Sequence, residues 1–357
     1  MKGVVLAGGT GSRLRPITHT GPKQLVPVAN KPVIQYGIED LRDADITEIG
    51  VVLGNKGREE IQAFLGDGSA FDVDITYIIQ GEPLGLAHAA GCAREFVGDD
   101  DFVMYLGDNI LKQGIGEFVE SFRSGDYTAG IALQAVGNPQ QFGIADVTED
   151  GTVSALIEKP DDPPSDLALI GIYVFSPAVF DAIEQLEPSW RGELEITDAI
   201  QALIDDGEAI DSHVVEGWWK DTGKPEDILD ANRLVLEDTP GERAGTIAEG
   251  AEVTGRVALA ETATIGEGAV VRGPVTIGPE TTIGQETYLG PYTAVGANCH
   301  IENAHVENSV IVGDSEITAN ETIVDSLLGR GATIRSAEGL RPAGQRLVIG
   351  ENSNLKL

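Results

Sequence analysis

The chain has 357 residues, with 58 acids against 24 bases and a formal net charge of −34. A surface this anionic repels nucleic acid and anionic membrane, and no run of about 18 or more apolar residues is present to cross a bilayer. The length predicts two domains rather than one core.

Only nine residues are lysine, and the acids are spread along the chain rather than gathered in a tail. This pattern predicts a protein adapted to a salty cytoplasm, where at about 1 M salt the Debye length falls to about 3 Å and self-repulsion is screened. The opening apolar stretch is ended too early by Gly8 and Gly9 to read as a signal peptide, so the expected location is cytoplasmic. Cys92 and Cys299 lie far apart and outside any Cys/His cluster, which predicts two free, reduced thiols.

Residues 1 to about 236 alternate short apolar strands with helical spacing. Val4–Ala7, Ile49–Leu53, Ile75–Ile79 and Phe102–Leu106 read as strands; Val33–Leu41, Glu59–Leu65 and Leu86–Phe96 read as helices. That order predicts a mainly parallel sheet covered by helices. After Gly125 the strands Thr128–Val136, Gly143–Val147, Val153–Ile157 and Leu169–Phe175 suggest an inserted mixed-sheet region. Residues 237–244 are polar, carry a Pro-Gly turn and read as a linker.

From residue 245 to about 335, within a C-terminal domain expected over 245–357, the chain is periodic. Ile247, Val253, Leu259, Ile265, Val271, Ile277, Ile283, Leu289, Val295 and Ile301 recur every six positions, and Val306, Val312, Ile317 and Ile323 continue the series less regularly. One inward apolar residue per short strand, stacked on its counterpart in the next coil, predicts a parallel β-helix. The glycines at 266, 278, 284, 290 and 296 are expected to permit tight corners. The tail after Ile334 reads as irregular.

The first strand runs into Leu6-Ala7-Gly8-Gly9-Thr10-Gly11-Ser12-Arg13-Leu14. A glycine-rich turn after a strand exposes backbone N–H groups that cradle phosphate, although this turn matches neither the Walker loop nor the dinucleotide fingerprint. Arg13 and Lys23 follow closely, and two cations near such a turn fit a triphosphate. Asp108 stands just past the strand Phe102–Leu106, and Asp221 follows the apolar Gly217-Trp218-Trp219. Strand C-terminal ends are where such sheets bind ligands. Gln80, just after Ile75–Ile79, carries an amide that both donates and accepts, so it could read a pyrimidine edge.

Together these motifs resemble the sugar nucleotidylyltransferases. They include Gly8 to Leu14, Pro22-Lys23-Gln24-Leu25, Leu84-Gly85-Leu86-Ala87, Gly107-Asp108-Asn109, Phe142-Gly143, Glu158-Lys159-Pro160, Arg191 to Thr197 and Lys220-Asp221-Thr222-Gly223. Within that family the match is nearest the long-form glucose-1-phosphate thymidylyltransferases. The resemblance implies a Rossmann-like mixed-sheet α/β nucleotidyltransferase domain followed by a left-handed parallel β-helix. It also implies in-line attack by a sugar-phosphate oxygen on a nucleotide α-phosphorus with loss of pyrophosphate, Mg²⁺ as cofactor, and a nucleoside triphosphate and glucose 1-phosphate as substrates.

By the same resemblance Arg13 and Lys23 stabilise the departing pyrophosphate, and Lys159 grips the sugar phosphate. Asp108 and Asp221 hold the metal. The nucleotide is held by Leu6, Gly8, Gly9, Thr10, Gly11, Ser12, Gln24, Gln80, Pro83, Gly85 and Leu86. The sugar side falls to Asn109, Gly143, Glu158, Leu169, Gly171, Tyr173, Arg191, Glu193 and Trp219. Lys220 departs from the pattern by standing where the family usually has an apolar residue. His19 and His88 are expected to be structural, because an ionised phosphate nucleophile needs no base titrating near neutral pH.

Three other readings stay open. UTP could replace dTTP, since one methyl group is worth only about 1–3 kcal/mol in a pocket. The β-helix could carry acyl transfer through His300 or His305, with coenzyme A phosphates left to scattered arginines such as Arg330 and Arg335. The chain could also be a non-catalytic regulatory homologue. In every case the β-helix predicts self-association, as a trimer or tetramer.

Overall fold

The computed structural model describes residues 1–148, 151–336 and 351–355. The chain forms two compact units, one of Met1–Thr10 with Val33–Asp221, the other of Gly11–Pro32 with Thr222–Leu357.

The first unit is built on a nine-stranded sheet. Its centre is parallel, in the order Phe102–Leu106, Lys2–Leu6, Glu48–Leu53, Asp74–Ile79. Crossover helices Val33–Asp43 and Arg58–Leu65 connect these strands; the inner three are apolar because both faces are covered, whereas Asp74–Ile79 at the edge is partly exposed. Phe102 stacks on Phe180 with centroids 5.3 Å apart. Leu167–Phe175 extends the sheet antiparallel to Phe102–Leu106, and carries Ala129–Ala135 and Gly143–Val147 with it. Ile210–Val214 and Val153–Glu158 complete it.

The expected strands are found within a residue or two of their observed ends, and Phe102–Leu106 and Gly143–Val147 have the expected ends. The single helix expected over Leu86–Phe96 is instead two, Leu86–Gly91 and Arg94–Val97. The first ends at Gly91, whose helix propensity is low, and Cys92 and Ala93 turn before the second begins.

In the second unit the short strands from Thr246 to Arg335 stack into three parallel sheets, the arrangement of a left-handed β-helix. Ile247, Ile265, Ile283 and Ile301 lie in register on successive coils of 18 residues, three hexapeptides to a coil. Ile265, Ile283 and Ile301 are fully buried, whereas Ile247 on the first coil is 37% exposed. At the irregular end the inward residue is Ile311, paired with Val295 and Leu328. Val312, expected inward, is half-buried and stands where earlier coils have glycine.

Those glycines do not make the corners. The left-handed backbone falls two residues later, at Gly268, Glu280, Glu286, Tyr292 and Asn298. The glycines instead allow coils to approach: a Cβ on Gly296 would lie 2.3 Å from the Val312 carbonyl oxygen, and one on Gly278 would lie 2.7 Å from the Gly296 carbonyl carbon.

The helix Pro225–Asp238 runs into residues 237–244 and belongs to this second unit. Its Glu237 accepts hydrogen bonds from Arg256 and Tyr292. Of the tail expected after Ile334, residues 337–350 and 356–357 lie outside the described residues. Cys92 and Cys299 are free thiols. Among the described residues no helix is long and apolar enough to cross a membrane.

Candidate active site

Four parallel strands of the first unit end along one edge of the sheet, and the chain there carries Gly8, Gly54, Gln80 and Asp108. Leu6 is buried in its strand, while Gly9 and Thr10 are exposed. Gly8 packs so closely that a Cβ would meet Gln80 Oε1 at 2.7 Å and Gly54 N at 3.4 Å. A side chain there would have to displace the Gln80 amide.

Gln80 is 5% exposed. Its Nε2 donates to the Gly85 carbonyl (3.4 Å) and lies 3.2 Å from His88 Nδ1. Two acceptors therefore hold the amide, and its Oε1 faces Gly8 as an acceptor. His88, expected to be structural, touches the nucleotide candidate Gln80 directly. No local motif could show this, because the contact spans a turn and the start of a helix.

Gly85 sits at φ 114, where a side chain would collide with the Leu194 backbone at 2.4 Å. Leu194 accepts from Ala87 N–H and donates to Leu84 O. These bonds stitch the Pro83–Leu86 turn, whose Pro83 is exposed, to the segment Arg191–Glu195.

That segment reaches the sugar-side candidates. Lys159 has the left-handed φ of 44 and donates from Nζ to Glu158 Oε1 at 2.6 Å. Arg191 reaches the same oxygen at 3.2 Å, and also pairs with Glu193 and Glu195. A Cβ on Gly143 would touch Glu158 Oε2 at 3.0 Å and Leu169 at 3.4 Å, so these three converge. The carboxylates load the pocket with negative charge: burial and Glu158 raise Asp198, and burial raises Glu195 against the opposing pull of Ser189 and Arg191. Burial and the nearby Glu158 also push the Tyr173 phenol well above its ordinary range.

Gly171, at φ 79, forms a bulge in Leu167–Phe175 where the register shifts. The bulge aims the Ile170 carbonyl at Asn109, whose Nδ2 donates to it at 2.8 Å. Asn109 Oδ1 accepts from Trp219 Nε1 at 3.2 Å, and Trp219 meets Phe142 edge-on. Asn109–Leu111 and Trp219–Asp221 pair antiparallel with Asp221 opposite Asn109. Asp221 therefore stands beside the neighbour of Asp108. Among the described residues no group of three or more His, Cys, Asp or Glu could hold an ion, so a cation on this pair would draw further ligands from substrate and water.

In the second unit the glycine-rich turn continues through Gly11, at φ 62, into the short helix Ser12–Leu14. Leu14 is fully buried and Arg13 is exposed. Gly11 O accepts from Thr18 Oγ1 at 2.6 Å, and a Cβ on Gly11 would lie 2.9 Å from Lys23 Cβ. The turn, Arg13 and Lys23 are thus one local structure. Gln24 is buried in the following turn.

The β-helix histidines form no comparable site. His300 faces Glu302, and His305 packs edge-on against Tyr288. Arg330 and Arg335 are already paired with Asp314 and Glu316.

A glycine-rich turn at the end of a parallel strand, an amide beside it and an acid pair near the neighbouring strand end thus lie along one edge of the sheet. Residues 2–238 match the nucleotidyl transferase family. The chain belongs to that family. Residues 271–356 of this nucleotidyltransferase match the GMPPB C-terminal domain. It is 74% identical, over the full length of both chains, to the low-salt glycan biosynthesis nucleotidyltransferase Agl11 of Haloferax volcanii. It is 48% identical to a glucose-1-phosphate thymidylyltransferase of Streptomyces antibioticus, across 100% of this chain and 99% of the relative. A Bacillus anthracis crystal structure described as a glucose-1-phosphate thymidylyltransferase aligns with TM-score 0.64 and 39% identity, covering 68% of this chain and 98% of that one.

Proposed function

We propose that this nucleotidyltransferase is a glucose-1-phosphate thymidylyltransferase, converting dTTP and glucose 1-phosphate to dTDP-glucose and pyrophosphate. The observation that carries the pyrimidine reading is the Gln80 amide. Its Nε2 is held by Gly85 and His88, so Oε1 is left to accept the N3–H of a pyrimidine. Thymine and uracil share that N–H; the choice of thymine rests on the 48% identity to a thymidylyltransferase over the whole chain.

In this reading Arg13 and Lys23 neutralise the leaving pyrophosphate, and the backbone from Gly8 to Ser12 holds the triphosphate. Gln24, Pro83, Gly85 and Leu86 frame the base. Lys159 exchanges Glu158 for the sugar phosphate, and Glu158, so released, accepts from sugar hydroxyls. Asn109, Gly143, Leu169, Gly171, Tyr173, Arg191, Glu193 and Trp219 shape the sugar pocket. Asp108 and Asp221 are hard oxygen donors that suit Mg²⁺, which would supply charge neutralisation at the phosphates. A sugar-phosphate oxygen bonds to the α-phosphorus as the α–β bridging bond breaks; positioning and charge do the rest.

The charge of −34 supports work in a salty cytoplasm. The exposed edge strand Thr246–Ile247 supports assembly of copies through the β-helix.

Oxygen-18 in the phosphate of glucose 1-phosphate tests the chemistry. Mass spectrometry should find all the label in the nucleotide-sugar and none in pyrophosphate. Label in pyrophosphate, or no nucleotide-sugar at all, would overturn the proposal, and the latter would favour a regulatory homologue.

A further inference from the structure

The turn that carries Arg13 and Lys23 is packed with the β-helix in one compact unit, although some two hundred residues separate them in sequence. Four residues past Lys23 the chain makes a small hairpin, Pro27–Val28 against Lys31–Pro32. Its two corner residues, Ala29 (φ 49) and Asn30 (φ 66), are both left-handed without being glycine. A residue with a Cβ resists that conformation, so something must hold it.

The holding groups are visible. Asn30 Nδ2 donates to the Val295 carbonyl at 2.8 Å and to Thr276 Oγ1 at 3.3 Å, both on one sheet of the β-helix. Ala29 N–H donates at 2.9 Å to Oδ1 of Asn232, whose Nδ2 donates at 2.8 Å to the Tyr292 carbonyl. Asn232 is fully buried, and both ends of its amide are used. On the other side of the loop, Ile17 lies against Gly329, where a Cβ would come within 3.2 Å of its side chain.

We infer that the β-helix is the mould of the triphosphate loop, and that Asn30 and Asn232 are positioning residues for Arg13 and Lys23. The inference rests on the reading of that loop as the nucleotide's phosphate cradle. It gives the C-terminal domain a part in catalysis separate from assembly. Asn30 and Asn232 touch no substrate; they fix the hairpin, and the hairpin fixes the short turn Lys23–Leu25 just before it.

The test uses the full chain with N30G. Glycine keeps the left-handed corner without strain and removes only the two side-chain hydrogen bonds. Amide exchange across residues 11–32 should quicken while strands Val275–Ile277 and Thr293–Val295 stay protected. The KM for the nucleoside triphosphate should rise roughly three- to tenfold, tenfold being about 1.4 kcal/mol, while the KM for glucose 1-phosphate holds. N232A should act in the same direction; should it fail to fold, N30G carries the test alone. An unchanged kcat/KM for the nucleoside triphosphate in N30G, or a matching rise in the KM for glucose 1-phosphate, overturns the inference. A parent protein inactive with every nucleotide would instead sink the functional reading on which it rests.

Discussion

Gly171→Ala probes how the sugar pocket is built. Its Cβ would lie 2.4 Å from Asn109 Nδ2 and 2.6 Å from Leu106 Cδ1. The left-handed backbone at φ 79 costs an alanine about 1 kcal/mol. Overpacking adds about 1–3 kcal/mol. Displacing Asn109 from the Ile170 carbonyl forfeits about 1 kcal/mol more. The sum, about 3–5 kcal/mol, should lower the melting temperature by about 10 °C. Asn109 also receives the Trp219 indole N–H, so the KM for glucose 1-phosphate should rise in the folded variant. Pairing the change with Asn109→Ala frees the space at Nδ2, and the two losses should fall short of additive by about 1 kcal/mol. Differential scanning calorimetry and initial rates measure both. A wild-type melting temperature together with a wild-type sugar KM would refute the reasoning.

Three further outcomes follow from the same geometry. Asp108→Asn and Asp221→Asn should each lower kcat by about a hundredfold or more and shift the rate to higher Mg²⁺; an unaltered Mg²⁺ titration would count against the acid pair. Gly296→Ala, which drives a Cβ to 2.3 Å from the Val312 carbonyl oxygen, should cost about 1–3 kcal/mol by overpacking. Gly268→Ala, at φ 75 with open space around it, should cost less, and calorimetry that ranks them the other way would undo the coil-stacking account. Burial and Glu158 raise the folded-state pKa of Asp198, so the folded state holds its proton more tightly and stability is lost as pH rises through that value. Asp198→Asn should therefore melt higher than wild type at pH 7, with the difference gone below about pH 4; equal melting at both pH values would contradict this.

Much of the framework was legible in sequence because it obeys simple periods. Phe102–Leu106 is an unbroken apolar run bounded by Asp101 and Gly107, and the inward β-helix residues repeat every six. Where the coil shortens, the period fails: Ile311 faces inward in place of Val312. The helix Ile196–Asp205 buries Ile196, Ala199, Ile200 and Leu203, a helical spacing present in the sequence. The β-helix glycines admit the close approach of a neighbouring coil, a property of stacking that leaves no local mark in the sequence. Likewise His88 meets Gln80 only once the Pro83–Leu86 turn has folded. The motifs placed Glu158, Lys159 and Arg191 near one another in chemistry; only the fold shows that both cations converge on the same Glu158 oxygen.

The most direct test of the account is the ratio of kcat/KM for dTTP and UTP, measured by pyrophosphate release with glucose 1-phosphate and Mg²⁺ in molar KCl. A clear excess for dTTP is predicted. A preference for UTP would contradict the assigned base while keeping the chemistry, and no release with either would contradict the account as a whole.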